Sequence, residues 1–270
     1  MDKSKPAILS AHPIAPEVRA RIIQALDEIE AQHQVKVLFA CESGSRGWGF
    51  ASPDSDYDVR FIYVHKLPWY LTVHAPRDVV ELPISDELDV NGWELRKALQ
   101  LLRKSNPTLL EWLDSPVVYR ADAAFAARMQ GFVPEFFSSQ GVRHHYLSMA
   151  RKNFRSYLQG ETVRLKKYLY VLRPLLAARW IDSGRGMPPM RFAELAEATV
   201  ESTALAEEIN RLLAIKMGAG EAEYSPRWNA IHAFIESELA RSERDPAPGR
   251  PAGNTASLDR FLAETVQAFD

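Results

Sequence analysis

Gly44-Ser45-Arg46-Gly47-Trp48-Gly49-Phe50-Ala51-Ser52-Pro53-Asp54-Ser55-Asp56-Tyr57-Asp58 is the stretch whose reading decides the fold. Before it, Val35-Lys36-Val37-Leu38-Phe39-Ala40-Cys41 reads as a mostly buried strand. After it, Asp58-Val59-Arg60-Phe61-Ile62-Tyr63-Val64 reads as a second. Between them lie a glycine-containing turn and a second turn at Ser52-Pro53-Asp54-Ser55. Glycine lets backbone N–H groups converge on an anion with no Cβ in the way. Ser45 adds a hydroxyl in the same place, and eleven residues later Asp56 and Asp58 open the second strand. Residues i and i+2 of a strand share a face, so the two carboxylates are expected to converge. Paired carboxylates repel unless a cation sits between them. Hard oxygen ligands beside a phosphate cradle point to Mg²⁺ held jointly by protein and a nucleoside triphosphate. An isolated Asp-x-Asp is most often a solvated turn; the complete pattern weakens that reading.

Working outward, Val18, Ile22, Ile23, Leu26 and Ile29 fall at helical spacing within Pro16–Gln32. Glu87-Leu88-Asp89-Val90 reads as another short strand, Trp93–Lys104 as a helix, and Thr108–Leu113 as a further helix with Pro107 at its start. The stretch 65–83, with Pro68, Pro76 and Pro83, resists assignment. Beyond about residue 120 the chain reads helical, with periodic segments at 121–137, 141–158, 162–182 and 202–217. A flexible linker is expected at 242–256 and a docking helix at 257–268. The expected class is therefore α+β: a small sheet-containing domain over 1–120, then a helical domain over 121–270.

Composition sets outer limits. The 270 residues are 46% hydrophobic and 25% charged, which excludes a wholly disordered chain. No apolar run approaches the ~20 residues needed to span a bilayer. One cysteine, Cys41, allows no internal disulfide and no cysteine-based zinc site. A reduced, cytoplasmic protein is expected. The net charge of −2 conceals a basic segment: 141–180 holds Arg143, Arg151, Lys152, Arg155, Arg164, Lys166, Lys167, Arg173 and Arg179 against Glu161 alone. That concentration favours a local anion site over a set of solvated helix faces. Adjacent His144 and His145 diverge by roughly 100° on a helix, which does not suit ligation of one metal.

The Gly-Ser turn, spacer and Asp-x-Asp opening an apolar strand resemble the signature of the DNA polymerase beta-like nucleotidyltransferase superfamily. More narrowly, the chain resembles the nucleotidyltransferases predicted for bacterial RNA repair operons. The resemblance extends through Asp89-Val90-Asn91-Gly92-Trp93-Glu94-Leu95-Arg96-Lys97, Ser105-Asn106-Pro107, Glu111-Trp112-Leu113 and Lys166-Lys167-Tyr168-Leu169-Tyr170-Val171-Leu172-Arg173-Pro174-Leu175-Leu176. It implies a small polymerase beta-like domain and three metal-holding catalytic carboxylates. Asp56 and Asp58 match the paired two, and Asp89 is the leading candidate for the third, with Glu81, Asp86 and Glu87 as rivals. Two Mg²⁺ ions are implied, with Mn²⁺ as an alternative.

Nucleotide contacts are then expected from Gly44, Ser45 and Arg46 in the turn, and from Lys166, Lys167, Tyr170 and Arg173. Lys166, Tyr170 and Arg173 share a helix face, while Lys167 points elsewhere. Tyr168 or Tyr170 on a base competes with plain core packing. The implied activity is transfer of a nucleoside monophosphate from an NTP, ATP among them, to a hydroxyl with release of pyrophosphate. An RNA end is the favoured acceptor, with RNA-repair proteins as possible partners and no membrane. Transfer to a protein or small molecule is the alternative within enzymes. A non-catalytic nucleotide- or RNA-binding protein is the alternative outside them.

Overall fold

The computed structural model describes residues 5–74, 76–84, 87–218, 224–242 and 253–270. In chain order, α1 (Pro16–His33) leads into β1 (Val35–Glu42), the one-turn helix α2 (Gly44–Trp48) and β2 (Tyr57–His65). There follow α3 (Leu67–Tyr70), β3 (Val79–Glu81), β4 (Leu88–Glu94), α4 (Leu95–Arg103), α5 (Pro107–Leu113), β5 (Val118–Ala121) and α6 (Ala123–Phe136). Next come α7 (Ser139–Tyr157), β6 (Thr162–Arg164), α8 (Lys166–Asp182), α9 (Phe192–Thr199), α10 (Thr203–Gly218), β7 (Tyr224–Pro226), α11 (Asn229–Arg241) and α12 (Thr255–Phe269).

These elements form two compact units that are interleaved along the chain. The sheet unit comprises Pro13–Gly47, Asp56–Phe136 and Pro251–Asp270; the helical unit comprises Met1–His12, Trp48–Ser55 and Phe137–Arg250. A single cut after residue 120 does not describe them, for three reasons. The Trp48–Ser55 segment belongs to the helical unit, α6 stays with the sheet, and the C-terminal segment carrying α12 belongs with the sheet as well. Most of the linker expected at 242–256 lies outside the described residues, and Thr255 already begins α12.

Within the sheet unit, strands order as β3-β4-β2-β1-β5. The β2–β4 pairing is parallel and the others are antiparallel, so the sheet is mixed. Apolar alternation explains its packing: Tyr57, Val59 and Phe61 of β2 and Leu88 and Val90 of β4 are buried in one cluster with Val18, Ile22, Leu26 and Ile29 of α1. Fully burying each of those aliphatic side chains contributes about 1.5–3 kcal/mol. Asp58 and Arg60, at the intervening positions of β2, look to the other face. The glycine-rich turn expected after β1 is instead the short helix α2. α5 begins as its sequence suggests, with Pro107 in its first turn and the Asn106 side chain accepting from the Leu109 N–H at 3.1 Å. α12 lays Phe261 on Phe125 with ring centroids 5.6 Å apart.

The helical unit is not purely helical, because β6 and β7 form a two-stranded antiparallel ribbon. Tyr168, Leu169, Leu172 and Leu176 of α8 are completely buried, so Tyr168 is a core residue. The Trp48–Ser55 segment is held by aromatic and polar contacts. Phe50 meets Phe192 edge-on at 5.5 Å, and Lys216 of α10 donates to the Ser52 and Ser55 hydroxyls at 2.5 and 3.2 Å. No described helix is long and apolar enough to cross a membrane.

Candidate active site

The site begins with strand register. Parallel pairing sets Asp58 of β2 directly beside Asp89 of β4, on the face opposite the apolar cluster. The two side chains are 28% and 32% exposed, so they are half-sheltered from water. Of the rival third carboxylates, Glu81 pairs with Arg77 and Glu87 with Arg21. Asp86 lies outside the described residues. Asp56 precedes the strand, since β2 starts at Tyr57. Asp56 lies one residue before that strand and close enough to Asp58 to help raise its pKa.

Gly44 supplies the second feature. Its φ is +55°, a left-handed conformation that glycine adopts without strain. A Cβ built on it would lie 1.8 Å from Oδ2 of Asp58, so the Asp58 carboxylate lies against the glycine α-carbon. Ser45 follows, 7% exposed, in α2.

Arg60, which the sequence reading passed over, is the third. Its Nη2 donates to Oδ1 of Asp58 at 2.8 Å and to Oδ2 of Asp89 at 2.7 Å. Its Nη1 donates to the Asp89 and Val59 carbonyls at 2.8 and 3.1 Å. A guanidinium thus stands between the two carboxylates. Asp58 titrates above the ordinary aspartate range, chiefly through burial; Arg60 opposes that rise, while Asp89 and Asp56 add to it. The signal in the sequence was Asp-x-Asp-x-Arg, an arginine at the next same-face position of the strand.

Behind Asp58 lies Glu42, which is fully buried. Its Oε1 accepts from the Asp58 peptide N–H at 2.8 Å, and its other oxygen accepts from the Tyr119 hydroxyl. Burial pushes its pKa up to about 7, against the lowering effect of both hydrogen bonds.

The remaining expected nucleotide contacts are placed as follows. Arg46 is 4% exposed and turned inward: it donates to the Asp56 and Pro13 carbonyls at 3.3 and 3.1 Å and stacks over Tyr57 at 3.7 Å. Arg173, in the helical unit, is 2% exposed, donates to the Met190 carbonyl at 3.1 Å and covers Trp48 at 4.6 Å. Both arginines are buried and direct these donors to the protein's own carbonyls and rings. Lys167 lies over the rings of Tyr157 and Tyr170 at 4.0 and 5.2 Å, and Tyr170 meets Trp48 edge-on. Lys166 is half-exposed at the start of α8. These residues belong to the helical unit and the three aspartates to the sheet unit.

Among the described residues, no group of three or more His, Cys, Asp and Glu side chains is arranged to hold an ion. The donor set of Asp58 and Asp89 nevertheless suits a hard divalent cation: two oxygen-only ligands on paired strands, with Gly44 clearing the space beside one of them. Arg60 occupies the position of positive charge between them.

A mixed sheet with strand-borne aspartates beside a Gly-Ser helix start has the architecture of the polymerase beta-like nucleotidyltransferases. The family model described as "RNA repair pathway DNA polymerase beta family" matches residues 18–264, and the chain belongs to that family. It is 45% identical over 252 residues to a Bacillus subtilis (strain 168) protein described as "Uncharacterized protein YcgL", covering 93% of this chain and 97% of that one. Solved structures with likeness include spectinomycin adenyltransferase AAD(9) from Enterococcus faecialis, with ATP and spectinomycin. That match is 12% identical with a TM-score of 0.46, covering 85% of this chain and all of the other. A nucleotidyltransferase-like protein from Exiguobacterium sibiricum 255-15 is 11% identical with a TM-score of 0.29, covering 92% of this chain and 90% of the other.

Proposed function

We propose that this protein transfers a nucleoside monophosphate from an NTP to a hydroxyl at an RNA end and releases pyrophosphate. The observation that carries the reading is the Asp58 carboxylate, seated against Gly44 and in register with Asp89. A phosphate-orienting Gly44-Ser45 segment and a cation-holding carboxylate pair would thereby meet at Asp58. Asp56, Asp58 and Asp89 would hold the divalent cation, Mg²⁺ or Mn²⁺. Once bound, such an ion neutralises phosphate charge and favours ionisation of the attacking hydroxyl.

In the reaction, the acceptor hydroxyl gives up its proton to solvent water and its oxygen bonds to the α-phosphorus, while the bond from that phosphorus to the bridging oxygen breaks and its electrons leave with pyrophosphate. Gly44 and Ser45 orient the terminal phosphates, so positioning supplies much of the acceleration. Arg60 offsets part of the carboxylate pair's charge without a cation. RNA as acceptor is supported by the family description and by the basic 141–180 segment. RNA-repair partner proteins and a cytoplasmic location belong to the same reading.

The test incubates purified protein with Mg²⁺, each α-labelled NTP in turn, and a panel of RNA ends including tRNA. Asp56→Ala/Asp58→Ala serves as the control. Label on RNA that the double variant abolishes is the expected result. Label on protein or a small molecule would replace the acceptor assignment. Absence of NTP binding would overturn the reading altogether.

A further inference from the structure

The β1–β2 ladder reaches its last rung at the site. Glu42 is in register with Val59, so the next opposed pair is Ser43 and Asp58. Hydrogen-bonded pairs of an antiparallel ladder exchange two N–H···O bonds. Here one of the two is present: the Ser43 N–H donates to the Asp58 carbonyl at 2.8 Å. The reciprocal acceptor, the Ser43 carbonyl, has turned away into α2 and receives the Gly47 N–H at 3.0 Å. A buried N–H without an acceptor costs about 1–3 kcal/mol. The Glu42 side chain fills that role, with Oε1 2.8 Å from the Asp58 nitrogen.

We propose that Glu42 is a positioning residue for the carboxylate site: by replacing the lost ladder bond it fixes the Asp58 peptide, and with it the aim of the Asp58 side chain between Gly44, Arg60 and Asp89. The proposal rests on the metal-dependent reading above.

Three observations converge on it. Glu42 is itself tethered, because its second oxygen accepts from the buried Tyr119 hydroxyl. Its backbone is tethered too, with its N–H donating to the Val117 carbonyl and its carbonyl accepting from the Ser115 hydroxyl. Finally, β1 is otherwise apolar over its buried length, so a carboxylate at its end is not needed for packing. Groups behind a ligand commonly change metal affinity by about 10–100-fold when removed.

The experiment measures Mn²⁺ affinity by electron paramagnetic resonance, independently of turnover. Wild type, Glu42→Gln, Glu42→Met and Tyr119→Phe are compared, with folding checked by near-ultraviolet circular dichroism. Glu42→Gln keeps an acceptor for the Asp58 N–H and is expected within about threefold of wild type, whereas Glu42→Met loses about tenfold or more. Equal affinity in folded Glu42→Met overturns the proposal. An equal loss in Glu42→Gln overturns it as well, since charge rather than the peptide bond would then be responsible. If Glu42→Met does not fold, Tyr119→Phe decides: untethering Glu42 is expected to weaken Mn²⁺ measurably, and unchanged affinity refutes the role. Wild type that binds no Mn²⁺ would instead refute the metal-dependent reading itself.

Discussion

Gly44→Ala is the sharpest single perturbation of this site, because two separable penalties meet in one methyl group. The first is conformational: at φ +55° an L-residue costs about 1–2 kcal/mol relative to glycine. The second is steric. The added Cβ would fall 1.8 Å from Oδ2 and 2.8 Å from Cγ of Asp58, whereas non-bonded atoms settle near ~3.5 Å. The carboxylate must therefore retreat by well over 1 Å, which breaks the 2.8 Å pairing with Arg60 and moves the group proposed to hold the cation. Displacements of that size cost about 100-fold in rate where a reacting group must be aligned. The backbone strain alone lowers Tm by about 2–8 °C for a chain of this size.

Gly184→Ala provides the control. Gly184 also has positive φ, +75°, but a Cβ there meets nothing within 4 Å. The assay pairs thermal melts with labelled-nucleotide transfer on Gly44→Ala, Gly184→Ala, Asp58→Ala and the Gly44→Ala/Asp58→Ala double variant. Gly44→Ala should lose about 100-fold in transfer and melt lower than Gly184→Ala. In the Asp58→Ala background, the additional effect of Ala at 44 should shrink to the backbone term. Wild-type transfer by Gly44→Ala, or a melting penalty at 44 indifferent to Asp58, would refute the reasoning.

Three other outcomes are expected. Arg60→Met should tighten Mn²⁺ binding by removing the competing guanidinium, and lower the cation-free Tm through lost ion pairs worth about 1–3 kcal/mol; titration calorimetry with paired melts checks both. Lys216→Met should destabilise the helical unit by about 1–3 kcal/mol, because the buried Ser52 and Ser55 hydroxyls lose a charged donor; urea unfolding followed by tryptophan fluorescence reads it. His65 is pushed down to about 4, mainly by burial and secondarily by His33, while its ring stacks on Trp69 at 4.4 Å. Its folded pKa lies below the unfolded value of 6.5, so the neutral ring's contribution is present above pH 6.5 and lost as pH falls toward 4. His65→Phe should therefore show a shallower decline in Tm over that window.

What the sequence disclosed and what it withheld divide along a physical line. Features fixed by neighbours a few residues away were legible: the apolar periodicity of α1, the runs that become β1 and β2, and the Pro107 helix start. Features fixed by chain geometry were not. The sequence cannot show that Ser43 will turn its carbonyl into α2, so nothing in it singles out Glu42. Burial of Arg46 and Arg173 was likewise invisible, because it depends on packing partners far along the chain. The interleaving of the two units depends on tertiary contacts of Trp48–Ser55 and α12 that no local pattern carries.

Asp89 lies between the two cases. Its position beside Asp58 is a register, and slipping β4 by one residue would turn Asp89 onto the opposite face. What prevents the slip is hydrophobic alternation: Leu88 and Val90 are only 7% and 3% exposed, and exchanging them for Asp89 would bury a carboxylate in the apolar cluster. The face that Asp89 takes is therefore set by the two aliphatic residues that flank it. Polar replacement of Leu88 or Val90 should disturb the site even though neither residue faces it.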